Sequence, residues 1–327
     1  MRNSQTDRKC IVLREHDKVT SKVSIIILNW NGLDDTVDCL QSLKEITYPD
    51  YNIIVVDNGS KGNDAEILKG KFGEYVHIIE NDKNYGFAGG CNIGIRYALR
   101  NFEPDYILLL NNDTTVAPDF LAEMVRVAES DPSFGIAGPK IYFYHEPNKI
   151  QAIGGQINWR TGMTSMLGIG ETDVGQFNEI REVDWVVGCA LLIKREVLQT
   201  IGLLYERYFA YFEETDWCVR CSRAGYLVIY APGARVWHKK RWSIEEISGL
   251  NMYYMTRNRF LFMVRNSTAS QLLYFFIYFL FWHLPNFTRL SLSRYRSLKL
   301  LASFYRGVFD GIRSIAMMKL KMENDSI

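Results

Sequence analysis

The stretch VSIIILNWNG, residues 23–32, joins a short apolar run rich in β-branched side chains to a turn of polar residues and glycine. A run closed in this way is typical of a parallel strand that is buried on both faces. The pattern recurs at residues 52–60 (NIIVVDNGS) and 106–113 (YILLLNND), and a weaker run lies at 76–79. The sequence therefore predicts a sheet whose strands end in polar side chains.

Helical patterns separate these strands. Residues 34–44 place Val37, Leu40 and Leu43 on one helical face, and a second helix is expected around 96–100. Strands that alternate with helices indicate a parallel α/β sheet, in which ligands bind outside the carboxyl ends of the strands. Further strands are predicted at 184–193, 226–230 and 234–238, with loops or a hairpin over 154–179.

Two carboxylates at the predicted strand ends are candidates for ligand binding. Asp113 offers a hard oxygen ligand of the kind that Mg²⁺ or Mn²⁺ prefers. Asp57 can accept a hydrogen bond from the imide N–H of uracil or thymine. Both sequences also make ordinary turns, so a purely structural interpretation of each stays open.

The glycine-rich segment at residues 84–94 (NYGFAGGCNIG) would let the backbone approach a diphosphate closely. We count Gly86 and Asn92 within it among the predicted donor-binding residues. The segment contains no G-x-G-x-x-G, and the chain contains no GxxxxGK[ST]. These patterns disfavour a dehydrogenase and exclude a P-loop kinase.

A dense acidic cluster marks the second half of the chain. Glu213, Glu214 and Asp216 lie within four residues and are flanked by aromatic side chains. Partial burial and like charge raise the pKa of a carboxylate towards the range of a general base. Arg220, one turn later, is expected to pair with Asp216. His238 ends a strand-like run and is a candidate metal ligand or diphosphate contact.

Composition and charge limit the partners and the location. The formal net charge is only +1, so the overall charge does not indicate that the protein binds nucleic acid. Six cysteines scattered through hydrophobic segments indicate reduced thiols in a cytoplasmic protein. We parse the chain into a polar leader (1–21), a catalytic domain (22–245) and a helical extension (246–327).

The run LLYFFIYFLFWHL at residues 272–284 is the most hydrophobic of the chain. It is thirteen residues long, whereas a spanning helix needs about 20. Its aromatic residues and the basic residues after it favour contact with the inner face of the cell membrane. A buried helix in a C-terminal subdomain is the alternative.

Taken as an ordered set, these motifs resemble a known family. The set is VSIIILNWNG, VVDNGS, NYGFAGGCNIG, LLLNNDT, VVGCALLIKREV, YFEETDWCVRCSRAGY and ARVWH, followed by YYMTRN at 253–258. It resembles the inverting family 2 glycosyltransferases, and more narrowly their rhamnosyltransferase-like branch. The resemblance implies a GT-A fold, which is a Rossmann-like mixed sheet with flanking helices, a nucleotide-sugar donor and Mg²⁺ or Mn²⁺.

The resemblance also implies roles for residues on the donor side. Asp57 matches the position that binds the pyrimidine base. Asn111-Asn112-Asp113 occupies the D-x-D site, in which Asp113 matches the metal-binding carboxylate and Asn111 replaces the Asp that usually helps to hold the ribose. His238 matches a histidine that completes the metal site in some relatives. Asn29, Asn31, Asn112 and Gly188 complete our predicted donor-binding set.

The base is assigned in the same way. Glu214 stands where the family has its catalytic Asp, with Glu213, Asp216 and Arg220 in support. The implied reaction is a single displacement that inverts the anomeric centre, and L-rhamnose from dTDP-rhamnose is the expected sugar. The acceptor is expected to be a saccharide or lipid-linked hydroxyl. One alternative is a nucleotidyltransferase. The other is an inactive sugar-binding or assembly module, which is favoured by the replacement of the family's usual Asp residues by Asn111 and Glu214.

Overall fold

The computed structural model describes residues 20–239 and 249–324, with side chains to residue 315. Most of the predicted polar leader and the predicted boundary at 245/246 lie outside the described residues. The strands are β1 (Val23–Asn29), β2 (Tyr51–Asp57), β3 (His77–Glu80), β4 (Tyr106–Asn111), β5 (Thr114–Val116), β6 (Phe134–Phe143), β7 (Glu146–Ala152), β8 (Gly155–Asn158), β9 (Met163–Met166), β10 (Arg181–Glu182), β11 (Ala190–Lys194) and β12 (Leu227–His238).

The helices lie between the strands and then continue alone at the C-terminal end. They are α1 (Leu33–Leu43), α2 (Asp64–Phe72), α3 (Gly86–Asn101), α4 (Phe120–Glu129), α5 (Arg195–Ile201), α6 (Glu213–Arg223), α7 (Gly249–Asn266), α8 (Ala269–Tyr278), α9 (Leu284–Ser293) and α10 (Leu298–Asn324). A single π-helical turn, Phe279–His283, joins α8 to α9. None of the helices in the described part of the chain combines the length and hydrophobicity needed to cross a membrane.

The central sheet has the strand order β10-β12-β6-β11-β4-β1-β2-β3, with β5 paired to β12 and β7 paired to β6. The strands β4, β1, β2 and β3 run parallel, as the sequence predicts. β11 is antiparallel to both β4 and β6, so the sheet is mixed. The two faces of the sheet are covered by separate hydrophobic clusters, because alternate side chains of each strand point to opposite faces.

Several predicted boundaries change in the structure. The predicted strand at 184–193 forms only over Ala190–Lys194, and the segment before it is irregular. The predicted strands at 226–230 and 234–238 are one strand, β12, whose register with β6 shifts between Ala231 and Arg235. Local hydrophobicity cannot distinguish a bulged strand from two strands, because the pairing partner decides which one forms.

Candidate active site

The polar strand ends meet at one edge of the sheet, as predicted. In the parallel register, Asn29 of β1 lies opposite Asp57 of β2, and Leu28 lies opposite Asn111 of β4. The three strands therefore end at the same level. His238 reaches this edge from β12, where it is paired with Thr114 of β5.

The carboxylate of Asp57 is held by hydrogen bonds within the protein, and Asp57 is not among the residues that line the cavity described below. Asn29 Nδ2 and Ser60 Oγ both donate hydrogen bonds to Asp57 Oδ1, at 2.7 and 2.6 Å. Asn29 is fully buried, and its Oδ1 accepts a hydrogen bond from Thr36 Oγ1 at 2.9 Å. Thr36 thereby fixes the amide that holds the Asp57 carboxylate. Asn31, with a φ of 52°, accepts a hydrogen bond from the Lys61 backbone N–H and stabilises the neighbouring turn.

Asn111, the last residue of β4, and the two residues that follow it point in different directions. Asn111 lines the cavity, and its Oδ1 is buried and accepts no hydrogen bond within the part of the chain that the structure describes. Asn112 Nδ2 donates to Gly32 O and to Thr36 Oγ1, so this amide is turned into the protein. Asp113 Oδ1 lies 3.2 Å from His238 Nε2. The predicted metal pair is thus brought together, whereas a donor contact by Asn112 is not supported.

Lys239 closes the far side of Asp113. Its backbone N–H donates to Asp113 O at 2.9 Å, and its Nζ pairs with Asp35 and Asp38, each at 2.7 Å. Burial alone would lower the pKa of Lys239, but the hydrogen bonds and charges of the two carboxylates raise it above its ordinary value. Lys239 is therefore a permanent cation one residue after His238.

The glycine-rich segment is a helix instead of a diphosphate-binding loop. Gly86 begins α3 with a φ of +77°, and a Cβ at this position would lie 2.5 Å from Phe209 O. The N–H groups of Phe87 and Ala88 donate to the same Phe209 oxygen, so the helix N-terminus is capped by protein. Asn92, 1% exposed, holds Leu204 and Glu206 through its amide. A donor contact by Asn92 is accordingly not supported.

The acidic cluster begins helix α6 after a strained loop. Phe209, Tyr211 and Phe212 all have φ values in the left-handed region, at 66°, 70° and 75°. This conformation is costly for bulky side chains and persists only where surrounding contacts impose it. The loop directs Glu213 and Glu214 into the cavity, where a Cβ added to Gly188 would lie 3.4 Å from the Glu214 side chain.

Asn258 of helix α7 imposes that conformation. This fully buried amide donates through Nδ2 to the carbonyl oxygens of Tyr208, Ala210 and Tyr211, at 2.9, 2.7 and 2.8 Å. Arg257 adds hydrogen bonds to Tyr208 O and to Asn258 Oδ1. Neither residue has a role predicted from the sequence, although both belong to the YYMTRN motif that contributes to the resemblance.

Asp216 is the structural anchor of α6. It is fully buried and accepts hydrogen bonds from Arg220 Nε at 2.9 Å and Asn266 Nδ2 at 2.8 Å, so the predicted Asp216–Arg220 pair is present. Tyr208 OH also donates to it at 3.2 Å. Burial, followed by the charge of Asp216, raises the pKa of Tyr208 well above its usual range, which keeps the phenol a neutral donor.

A cavity of about 590 Å³ lies between the ends of the central strands and the beginning of α6. Six of the predicted site residues line it: Gly86, Asn111, Gly188, Glu213, Glu214 and His238. The walls are mainly apolar and include Trp185, Val187 and Phe209, while α7 contributes Tyr254 and Met255. Glu214 and the polar edge formed by Asn111 and His238 therefore face one cavity.

Comparison with known sequences finds relatives that are named as hexosyl- and rhamnosyltransferases. The chain is 27% identical over 203 residues to the low-salt glycan biosynthesis hexosyltransferase Agl10 of Haloferax volcanii, a match that covers 62% of each protein. It thus spans less than two thirds of that relative. It is 24% identical over 272 residues to the dTDP-rhamnosyl transferase RfbF of Shigella flexneri, covering 76% of this chain and 82% of RfbF.

A solved structure shares the fold. The mannosyltransferase PcManGT of Pyrobaculum calidifontis, determined in complex with GDP-Man and Mn²⁺, superposes with a TM-score of 0.57 at 15% identity, covering 90% of this chain and 88% of that one. The expected GT-A fold is therefore confirmed. The glycosyl transferase family 2 profile matches residues 24–202. The chain accordingly belongs to glycosyl transferase family 2.

Proposed function

We propose that this protein is an inverting, metal-dependent glycosyltransferase that moves a sugar from a nucleoside-diphosphate donor to an acceptor hydroxyl. The observation that carries the proposal is the single cavity that Glu214 shares with Asn111 and His238. A displacement reaction needs a base for the acceptor and a polar anchor for the departing diphosphate within reach of one reacting carbon. The catalytic unit in this proposal includes α7, because Asn258 holds the loop that precedes Glu214.

Asp113 and His238 suit a divalent cation. The atoms Asp113 Oδ1 and His238 Nε2 lie 3.2 Å apart, which is close to the separation of adjacent ligand atoms around an octahedral ion with bonds of about 2.1 Å. We propose that these two residues hold Mg²⁺ or Mn²⁺ together with the diphosphate of the donor. When bound, the cation would neutralise charge on the departing diphosphate.

The remaining steps belong to residues of the chain itself. In our mechanism Glu214 removes the proton of the acceptor hydroxyl as its oxygen forms a bond to the anomeric carbon. The bond from that carbon to the diphosphate oxygen breaks in the same step, so the configuration inverts. We propose that Asn111, which lines the cavity and whose Oδ1 is a buried acceptor, receives a hydrogen bond from a hydroxyl of the ribose. Asp57 remains our candidate for reading the pyrimidine imide.

We propose dTDP-L-rhamnose as the donor, an assignment supported by the name of the relative RfbF and by the apolar cavity wall. Trp185, Val187 and Phe209 line the cavity and are available to cover the methyl group of a 6-deoxy sugar. Such a methyl contributes about 1–3 kcal/mol of discrimination, so measurable transfer from other sugars is expected.

The donor proposal predicts a graded substrate profile. Turnover should be highest with dTDP-rhamnose when it is compared with UDP-glucose, UDP-galactose and UDP-N-acetylglucosamine. Thymidine diphosphate should be released, and NMR of the product should show an inverted anomeric centre. A preference for a UDP-hexose would refute the rhamnose assignment alone, whereas release of pyrophosphate from nucleoside triphosphates would favour a nucleotidyltransferase.

We also propose that the C-terminal helices bind the inner face of an anionic membrane, where a lipid-linked acceptor would be found. Helix α8 and the π-helical turn bury Phe275 and Phe279 but expose an apolar surface. That surface comprises Leu273, Tyr274, Ile277, Leu280, Phe281 and Trp282. Between residues 266 and 309 the sequence contains no Asp or Glu, but it does contain Arg289, Arg294, Arg296, Lys299 and Arg306. Exposed aromatic and basic residues together are typical of interfacial binding.

This proposal predicts that the double substitution Phe281→Ser with Trp282→Ser abolishes flotation with phosphatidylglycerol vesicles. Both side chains are mostly exposed, at 74% and 66%, so their loss should not disturb the fold. Val174→Ser, at an 81% exposed site elsewhere, is the matched control and should float like the wild type. High salt should weaken flotation of the wild type. A wild-type protein that ignores anionic vesicles would contradict the proposal.

A further inference from the structure

Gln151, a fully buried residue of β7, contacts the imidazole of His238. Its Oε1 lies 2.7 Å from His238 Nδ1, and the two residues are 87 positions apart in the sequence. The contact forms because β7 and β12 both pair with the C-terminal half of β6. His238 is itself only 2% exposed, so its ring is held by protein on this side instead of by solvent.

This contact decides which nitrogen of His238 carries the proton. A carbonyl oxygen can only accept a hydrogen bond, so Nδ1 must be the donor in this pair. The neutral ring then presents the lone pair of Nε2 on its other side, where Asp113 Oδ1 lies 3.2 Å away. A histidine binds a cation through an unprotonated nitrogen, and the partner of its second nitrogen commonly fixes the tautomer and the ring orientation.

We propose that Gln151 is a positioning residue for the metal site: its amide oxygen holds His238 in the tautomer and orientation that direct Nε2 towards a cation shared with Asp113. This inference rests on the metal site of the proposed function. It predicts that the hydrogen-bond acceptor at position 151 matters, and that the volume of the side chain by itself does not.

The test measures Mn²⁺ affinity directly, by the electron paramagnetic resonance signal of free Mn²⁺ during titration of the full-length protein with saturating thymidine diphosphate. Gln151→Met keeps a similar volume without a carbonyl oxygen and should weaken Mn²⁺ binding about 10–100-fold. Gln151→Glu keeps an acceptor for Nδ1–H and should bind Mn²⁺ within a few-fold of the wild type. Binding of thymidine diphosphate in EDTA should be unchanged in both variants.

A second measurement uses the wild-type protein and does not depend on how the variants fold. With ¹⁵N-labelled histidine, Mg²⁺ and thymidine diphosphate, long-range ¹H–¹⁵N spectra should show His238 protonated at Nδ1 only. The chain has 5 histidines, so His238→Ala suffices to assign the signal.

The outcomes separate this inference from the metal assignment. Equal loss of Mn²⁺ affinity in the Met and Glu variants, or a His238 proton on Nε2, would refute the proposed role of the Gln151 amide oxygen. Wild-type affinity in Gln151→Met, alongside a large loss in His238→Ala, would also refute the role of Gln151 and leave the metal site intact. Unchanged Mn²⁺ binding in both Asp113→Ala and His238→Ala would overturn the metal site, and with it the role of Gln151.

Discussion

Replacing Glu214 by glutamine should reduce turnover by about 10²–10⁴-fold while the affinity for the nucleotide-sugar donor stays nearly unchanged. Glutamine keeps the shape of the side chain but cannot accept the acceptor proton at neutral pH. The effect should fall on turnover, because the proposed role of Glu214 concerns the acceptor hydroxyl and the proposed donor contacts are made by other residues. Single-turnover kinetics with dTDP-rhamnose, together with calorimetric titration of the donor, would measure the two quantities separately.

The neighbouring carboxylates provide unequal controls. Glu213 also lines the cavity and is 5% exposed, so Glu213→Gln is the direct test of whether the base is assigned to the correct residue. Asp216→Asn is a stability control, because this buried carboxylate pairs with Arg220 and Arg265. Loss of one member of such a network costs about 3–5 kcal/mol, which should be visible as a lower melting temperature. If Glu213→Gln impairs turnover more than Glu214→Gln does, with fold and donor binding preserved, Glu213 is the base.

Removal of the divalent cation should have an effect of comparable size. Excess EDTA, or Asp113→Ala, should lower turnover by roughly 10²-fold or more. A cation contributes several kcal/mol to stabilising the charge of a departing diphosphate, and about 1.4 kcal/mol corresponds to a factor of ten in rate. Asp113 is partly exposed at the turn between β4 and β5, so the fold should survive this substitution. The measurement is turnover as a function of added Mn²⁺ after treatment with EDTA.

The matched control is Asp35→Asn. Asp35 pairs with Lys239 next to the proposed metal pair, but it is not a proposed ligand. This variant should keep the Mn²⁺ dependence of the wild type, whereas Asp113→Ala should lose it. Full wild-type turnover in excess EDTA would contradict the metal proposal without affecting the assignment of Glu214.

The sequence by itself determined the parallel half of the sheet and the edge at which its polar strand ends meet. Hydrophobic runs closed by polar turns are local signals, and the parallel register of β1, β2 and β4 then brings Asn29, Asp57 and Asn111 to one level. The motif order also determined the family, because each motif is a contiguous stretch that can be read without knowledge of the packing.

Only the tertiary structure decided what most of the predicted polar residues contact. Asn92 and Asn112 have the amide chemistry expected of donor-binding residues, but their partners lie within the protein. The Gly86 segment offers helix N–H groups that would suit a diphosphate, yet Phe209 O occupies them. The direction of a side chain and the competition for its hydrogen bonds depend on segments brought near by folding, and these leave no periodic signal in the local sequence.

The residues that hold the loop before Glu214 and the ring of His238 could not be predicted from the sequence for the same reason. Asn258 reaches the Tyr208–Tyr211 carbonyls from 47–50 residues away, and Gln151 reaches His238 from 87 residues away. A single amide within a helix or strand has no distinctive pattern, so its role follows only from the partner that the fold places beside it. Local patterns determined where the strands end and which motifs are present. Long-range packing determined which side chains face the cavity, because a buried polar group forms its hydrogen bonds with whichever partner lies near it in space.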